Sequence, residues 1–98
     1  MENKIENTLQ LLRQELPLLM KKYNVKSLEV FGSYIRGEQK SKSDLDLLIT
    51  FSENPGLIKF LELENYLSDK LKVKVDLVMK DSLKPRIGKY ILKEAQPV

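Results

Sequence analysis

The stretch Ser43 to Phe51, SDLDLLITF, constrains the fold more than any other part of the chain. Leu45, Leu47, Ile49 and Phe51 alternate with Asp44, Asp46, Leu48 and Thr50, the period of two that a strand satisfies by sending successive side chains to opposite faces. One face of this strand needs apolar cover. The other begins with two carboxylates, so the sheet that holds it must be packed on one side and open to charged groups on the other.

The rest of the chain divides around that strand. Ile5, Leu9, Leu12, Leu16, Leu19 and Tyr23 recur at spacings of three and four, the stripe of an amphipathic helix. Pro17 interrupts it and predicts either two helices or one kinked helix, with Asn24 at its end. Leu11, Leu18 and Met20 fall off the stripe and would form a partner surface if exposed together. Ser27 to Phe31 alternates as a strand, with Leu28 and Val30 set against Glu29 and Phe31. Gly32 breaks this strand, Ser33 suits the cap of a short helical turn through Arg36, and Gly37 is placed to close it in a left-handed conformation. Residues 38–43 read as a polar loop, and Ser52 to Gly56 as a turn.

Beyond the turn, Leu57, Phe60, Leu63, Leu67 and Leu71 mark a core-facing helix. Lys72 to Lys80 reads as the third strand, with Val73, Val75, Leu77 and Met79 inward and Lys74, Asp76 and Val78 on the opposite face. Asp81 or Ser82 would cap a last helix carrying Pro85 in its first turn and Ile87, Ile91 and Leu92 beyond, before the tail Gln96-Pro97-Val98. The expected class is α/β (α+β), a small mixed three-stranded sheet with helices on one face and carboxylates on the other. Residues 1–98 are expected to form one domain, since 98 residues build one core and little else.

Composition narrows the chemistry. There is no cysteine and no histidine, which excludes disulfides, zinc sites of the usual nitrogen and sulfur type, and every histidine-based triad. Seventeen basic residues against fourteen acidic give a net charge of +3. The lysines are scattered, which fits a solvated surface or an anionic ligand equally well. No apolar run approaches the roughly 20 residues of a membrane span, and the polar N-terminus does not resemble a signal peptide, so a cytoplasmic protein is expected.

Asp44 and Asp46, two apart on a strand, point to the same face, with Cα atoms about 7 Å apart. Magnesium takes hard oxygen ligands, one or two carboxylates completed by phosphate and water, and this pair offers them. If the third strand is a neighbour, Asp76 joins them and the set suffices for two metal ions about 4 Å apart. Gly32 allows close approach of a phosphate to the backbone, and the Ser33 hydroxyl and the amides opening the short helix can donate to its oxygens. Arg36 fits either a phosphate contact or a brace for the turn. Singly, each of these residues has an ordinary explanation in turns and strand ends. Together, Gly32, Ser33, Gly37, Ser43, Asp44 and Asp46 would recur at a given position on the order of once in ten million at ordinary residue frequencies.

FGSYIRG, then SDLDLLI, then KVDLV resembles the minimal nucleotidyltransferases (MNT) of the DNA polymerase beta superfamily, whose pattern is Gly-Ser, a short arginine-and-glycine turn, Asp-x-Asp and a later single Asp. The similarity runs through KKYNVKSLEVFGS to the closing KPRIGKYILKEA. It implies the nucleotidyltransferase fold, Gly32 and Ser33 gripping a nucleoside triphosphate, Asp44 and Asp46 ligating magnesium, and Asp76 completing a catalytic metal site near the acceptor hydroxyl. Relatives of this size resemble the MntA-like antitoxins paired with HEPN ribonuclease toxins, and the resemblance implies AMP transfer from ATP to a tyrosine of such a toxin, held as a hetero-oligomer. Two further readings stand beside it: a non-catalytic antitoxin acting by contact, and a small basic RNA-binding domain. The second has no aromatic-rich strand or dense basic face behind it, so no direct nucleic-acid binding is expected. A homodimer is as compatible with an exposed helix face as a toxin is.

Overall fold

The computed structural model describes residues 4–37 and 44–98, with side chains except those of Lys4, Ile5, Ser33, Arg36 and Ile87. The expected loop over 38–43, including Ser43, lies outside the described residues, as do the side chains of Ile5 and Ile87. Helix α1 spans Lys4–Tyr23, β1 Val25–Phe31, α2 Ser33–Arg36, β2 Leu45–Phe51, α3 Leu57–Leu71, β3 Val75–Met79, α4 Pro85–Glu94 and β4 Gln96–Pro97, with a 3-10 turn over Lys80–Ser82.

Helix α1 buries the expected stripe: Leu9, Leu12, Leu19 and Tyr23 are buried and Leu16 is half-buried. Pro17 does not split it into two helices; α1 runs through the proline. Pro17 is exposed, so the backbone carbonyl it leaves without a donor lies on the solvent side, while burial of Leu12 and Leu19 holds both halves against the sheet. Asn24 ends the helix in a left-handed conformation, φ 60°.

The sheet order is β3-β2-β1-β4. β1 pairs antiparallel with β2 and with β4, and β2 pairs parallel with β3 through the α3 crossover. The sheet has four strands, not three. The fourth is the two-residue β4, whose Gln96 and Pro97 lie opposite Val30 and Glu29, followed by Val98 N–H donating to Leu28 O at 3.0 Å. A two-residue strand shows no alternation, and proline reads as a strand breaker except at an edge, where its missing donor faces away from the ladder.

Leu28, Val30, Leu45, Leu47, Ile49, Val75 and Leu77 meet α1 and α3 in one buried cluster with Leu63 and Leu67. Leu57, read as part of the core face of α3, is 72% exposed, because it occupies the first helical position, beyond the cover of the sheet. The last helix starts at Pro85 with Lys84 as its cap residue; Asp81 and Ser82 form the 3-10 turn instead. On the other face, Phe31, Asp46 and Asp76 share one row and Glu29, Leu48 and Val78 the next.

Candidate active site

Strand β1 ends at Phe31, and the chain leaves the sheet through Gly32 at φ +81°. Ile35 N–H donates to Gly32 O at 3.1 Å and opens the single turn α2; Gly37, at φ +71°, ends it. Tyr34, 3% exposed, is part of the core cluster and pins this turn to the body of the protein. Ser33 begins α2 and Arg36 ends it, so both stand on the turn by backbone position.

Asp46 lies beside Phe31 on one neighbour and in register with Asp76 on the other. Adjacent parallel strands stand about 4.8 Å apart, so the two carboxylates are side by side on the face away from α1 and α3. Gly32 is fitted against Asp46. A Cβ at Gly32 would collide with the Asp46 carboxylate oxygen and stand 3.1 Å from its Cγ. Asp44 lies one residue before β2, its Oδ2 3.8 Å from Lys74 Nζ in an exposed ion pair of small energetic consequence. The Gly32 turn, Asp46 and Asp76 are thus brought together, with Asp44 at the margin facing Lys74. Among the described residues no group of three or more acidic side chains is already gathered as a metal cluster. The donor set, carboxylate oxygens alone, suits a hard divalent ion that takes its remaining ligands from phosphate and water. Burial, then the Asp44 charge, raises the Tyr34 hydroxyl above the ordinary 10.0 and favours the neutral phenol.

Comparison with known proteins decides the family. Residues 9–98 match the nucleotidyltransferase domain. The protein adenylyltransferase MntA of Thermococcus cleftensis is 53% identical over 76 residues, 78% of this chain and 77% of that one. A structure provisionally described as a minimal nucleotidyltransferase superposes with TM-score 0.79 at 37% identity, covering 94% of both chains. A toxin–antitoxin structure with AMP-PNP superposes with TM-score 0.69 at 27% identity, covering 94% of this chain and 70% of that one. The chain belongs to the nucleotidyltransferase family.

Three residues of this nucleotidyltransferase support the site without any signal in the sequence patterns. β3 is an edge strand whose N–H groups would otherwise face solvent. Val75 N–H donates to Ser68 Oγ at 3.0 Å and Leu77 N–H to Glu64 Oε2 at 3.0 Å, so α3 grips the strand on both sides of Asp76. At the far end of the chain Glu94 Oε1 accepts from the Gly32 N–H at 2.7 Å. Glu64, Ser68 and Glu94 read in the sequence as ordinary polar positions of amphipathic helices; only their tertiary placement gives them a role.

Among the described residues the nucleotidyltransferase has concavities away from Asp46. One of about 300 Å3 is lined by Pro55, Leu57, Phe60 and Met79, beyond the opposite end of β2. It has no carboxylate or cation in its lining. Of the four tyrosines, Tyr90 alone is well exposed, at 77%.

Proposed function

We propose that this enzyme transfers AMP from ATP to a hydroxyl of a partner protein, a HEPN-type ribonuclease toxin, and acts as its antitoxin. The observation that carries the reading is the register of Asp46 with Asp76 beside a Gly32 backbone that approaches the Asp46 carboxylate too closely for any side chain. The name of the 53%-identical relative, a protein adenylyltransferase, supports the reaction; the AMP-PNP in the toxin–antitoxin neighbour supports an adenine nucleotide and a toxin partner.

In the proposed reaction the acceptor oxygen attacks the α-phosphorus, the bond from that phosphorus to the bridging oxygen breaks, pyrophosphate leaves and the hydroxyl proton is released. Asp44, Asp46 and Asp76 are the residues that would hold magnesium, one ion or two. Bound there, the metal supplies Lewis-acid stabilisation of charge on the phosphate oxygens. Gly32 and the amides of α2 would present a backbone surface without side-chain bulk to the triphosphate; Ser33, which begins α2, would add a donor, and Arg36 ends the same turn. Asp44 would give up its exposed Lys74 partner at little cost to hold the ion.

The test is label transfer from α-labelled ATP with magnesium, using the protein alone and with the product of its neighbouring gene, beside Asp44→Asn. Label on the partner that vanishes in the variant is expected. Absence of label with the complex intact would move the function to the contact reading, in which the protein neutralises its partner by binding. Exposure of Leu57, Ile58 and Leu61, at 72%, 81% and 47%, supplies an apolar surface for that second reading.

A further inference from the structure

We propose that Glu94 is the positioning residue of the Gly32 turn: its carboxylate fixes the Gly32 amide, and with it the backbone against which the triphosphate must lie. The inference rests on the nucleotidyltransferase reading of this site and adds to it a residue from the last turn of α4.

The geometry follows from the strand register. Gln96 lies opposite Val30 and Pro97 opposite Glu29, so counting back along the antiparallel pair sets residue 94 opposite residue 32. Backbone groups of even-numbered residues in this part of β1 face β4, as the Val98 N–H to Leu28 O bond shows. The Gly32 N–H continues that edge, but residue 94 still belongs to α4 and offers no strand carbonyl. Its side chain takes over, accepting from Gly32 N–H at 2.7 Å. A carboxylate in the last turn of a helix sits against the negative end of the helix dipole. Such a placement is disfavoured unless the carboxylate meets a donor, and the amide supplies one.

Gly32 is therefore held on two sides, by Glu94 at its N–H and by the Asp46 carboxylate at its Cα. The amide points along the sheet toward β4 and away from β2, so it is not a phosphate donor, and a negative group at its acceptor has no place as a triphosphate ligand. What Glu94 contributes is location. Because the contact needs an acceptor of the right length and not a charge, glutamine should replace glutamate and alanine should not.

The experiment measures label transfer to the acceptor protein for wild type, Glu94→Ala and Glu94→Gln, varying ATP and acceptor separately. Losing a hydrogen bond of this kind is expected to raise the KM for ATP roughly tenfold in Glu94→Ala, with the acceptor KM within about twofold and Glu94→Gln within about threefold of wild type. An ATP KM unchanged in Glu94→Ala, a parallel rise in both KM values, or a Gln variant as impaired as Ala overturns the proposal. A second readout needs no activity. In 15N-labelled protein the Gly32 amide should exchange slowly in wild type and in Glu94→Gln; exchange at the rate of an open loop in wild type overturns the proposal even if Glu94→Ala fails to fold. Wild-type protein that transfers no label but shows the protected amide refutes the proposed reaction and leaves the contact standing.

Discussion

Gly32 carries two constraints at once, and a single methyl group tests both. Its φ of +81° costs an alanine about 1 kcal/mol, and the added Cβ drives into the Asp46 carboxylate. Gly32→Ala is therefore expected to lower stability by about 1 to 2 kcal/mol while lowering transfer at least about a hundredfold, since the displaced carboxylate is the one in register with Asp76. Thermal melting beside label transfer checks it; activity that falls only as far as the folded fraction would show that Asp46 is not at the reacting centre. Asp46→Asn keeps shape and loses charge. It should lower transfer by about two orders of magnitude or more with the melting temperature nearly unchanged, because Asp46 is half-buried and outside the apolar cluster. This much of the candidate site was legible in the sequence, for a glycine after a strand and an Asp-x-Asp pair at the head of an alternating run are local signals. Glu94 was not, because residue 62 places away from Gly32 becomes its partner only through the two-residue strand β4.

At the scale of elements, the seam between α1 and α3 is polar where it meets solvent. Tyr66 Oη donates to Glu15 Oε2 at 2.7 Å, Lys70 stands 3.4 Å from Glu15 Oε1, and Tyr23 Oη donates to Glu62 Oε1 at 3.2 Å. The Tyr23 and Tyr66 rings meet with centroids 6.4 Å apart. Tyr66→Phe keeps the ring contact and removes one hydrogen bond to a carboxylate, so a loss of about 1.5 kcal/mol or slightly more is expected in urea unfolding. A loss below about 0.3 kcal/mol would mean that water replaces the contact fully. Helix spacing in the sequence announced the apolar stripes of α1 and α3 but not this seam, since periodicity says which face is buried and nothing about what that face meets. The same limit applies to the off-stripe residues of α1. At about 100° per residue, Leu11 and Leu18 share one flank and Met20 falls on the other, so the three are exposed but do not form one patch.

Across the whole molecule, two tyrosines couple folding to pH. Tyr66 is raised above 10.0 by its bond to Glu15 and by burial, and Tyr34 by burial and the Asp44 charge. Both favour the neutral phenol in the folded state. Their contribution to stability is full below about pH 10 and is lost as pH rises through the folded values, so unfolding should become easier on the alkaline side, less steeply in Tyr66→Phe. The other molecular-scale question is whether chemistry and partner contact occupy one place. The exposed cluster of Leu57, Ile58 and Leu61 opens α3, beyond the C-terminal end of β2, whereas Asp44 and Asp46 stand at its start. Seven strand residues separate the two ends by about 20 Å, too far for a substitution at one to perturb the other through direct contact. An aspartate in place of Ile58, 81% exposed, should leave the fold intact and turn an apolar surface charged. If transfer neutralises the toxin, Asp46→Asn loses protection of cells in which the toxin is expressed, even where the two proteins still co-purify. If contact neutralises it, Asp46→Asn protects as well as wild type and Ile58→Asp, tested for co-purification and protection together, loses both. The catalytic reading expects the first pattern, and full protection by Asp46→Asn would refute it.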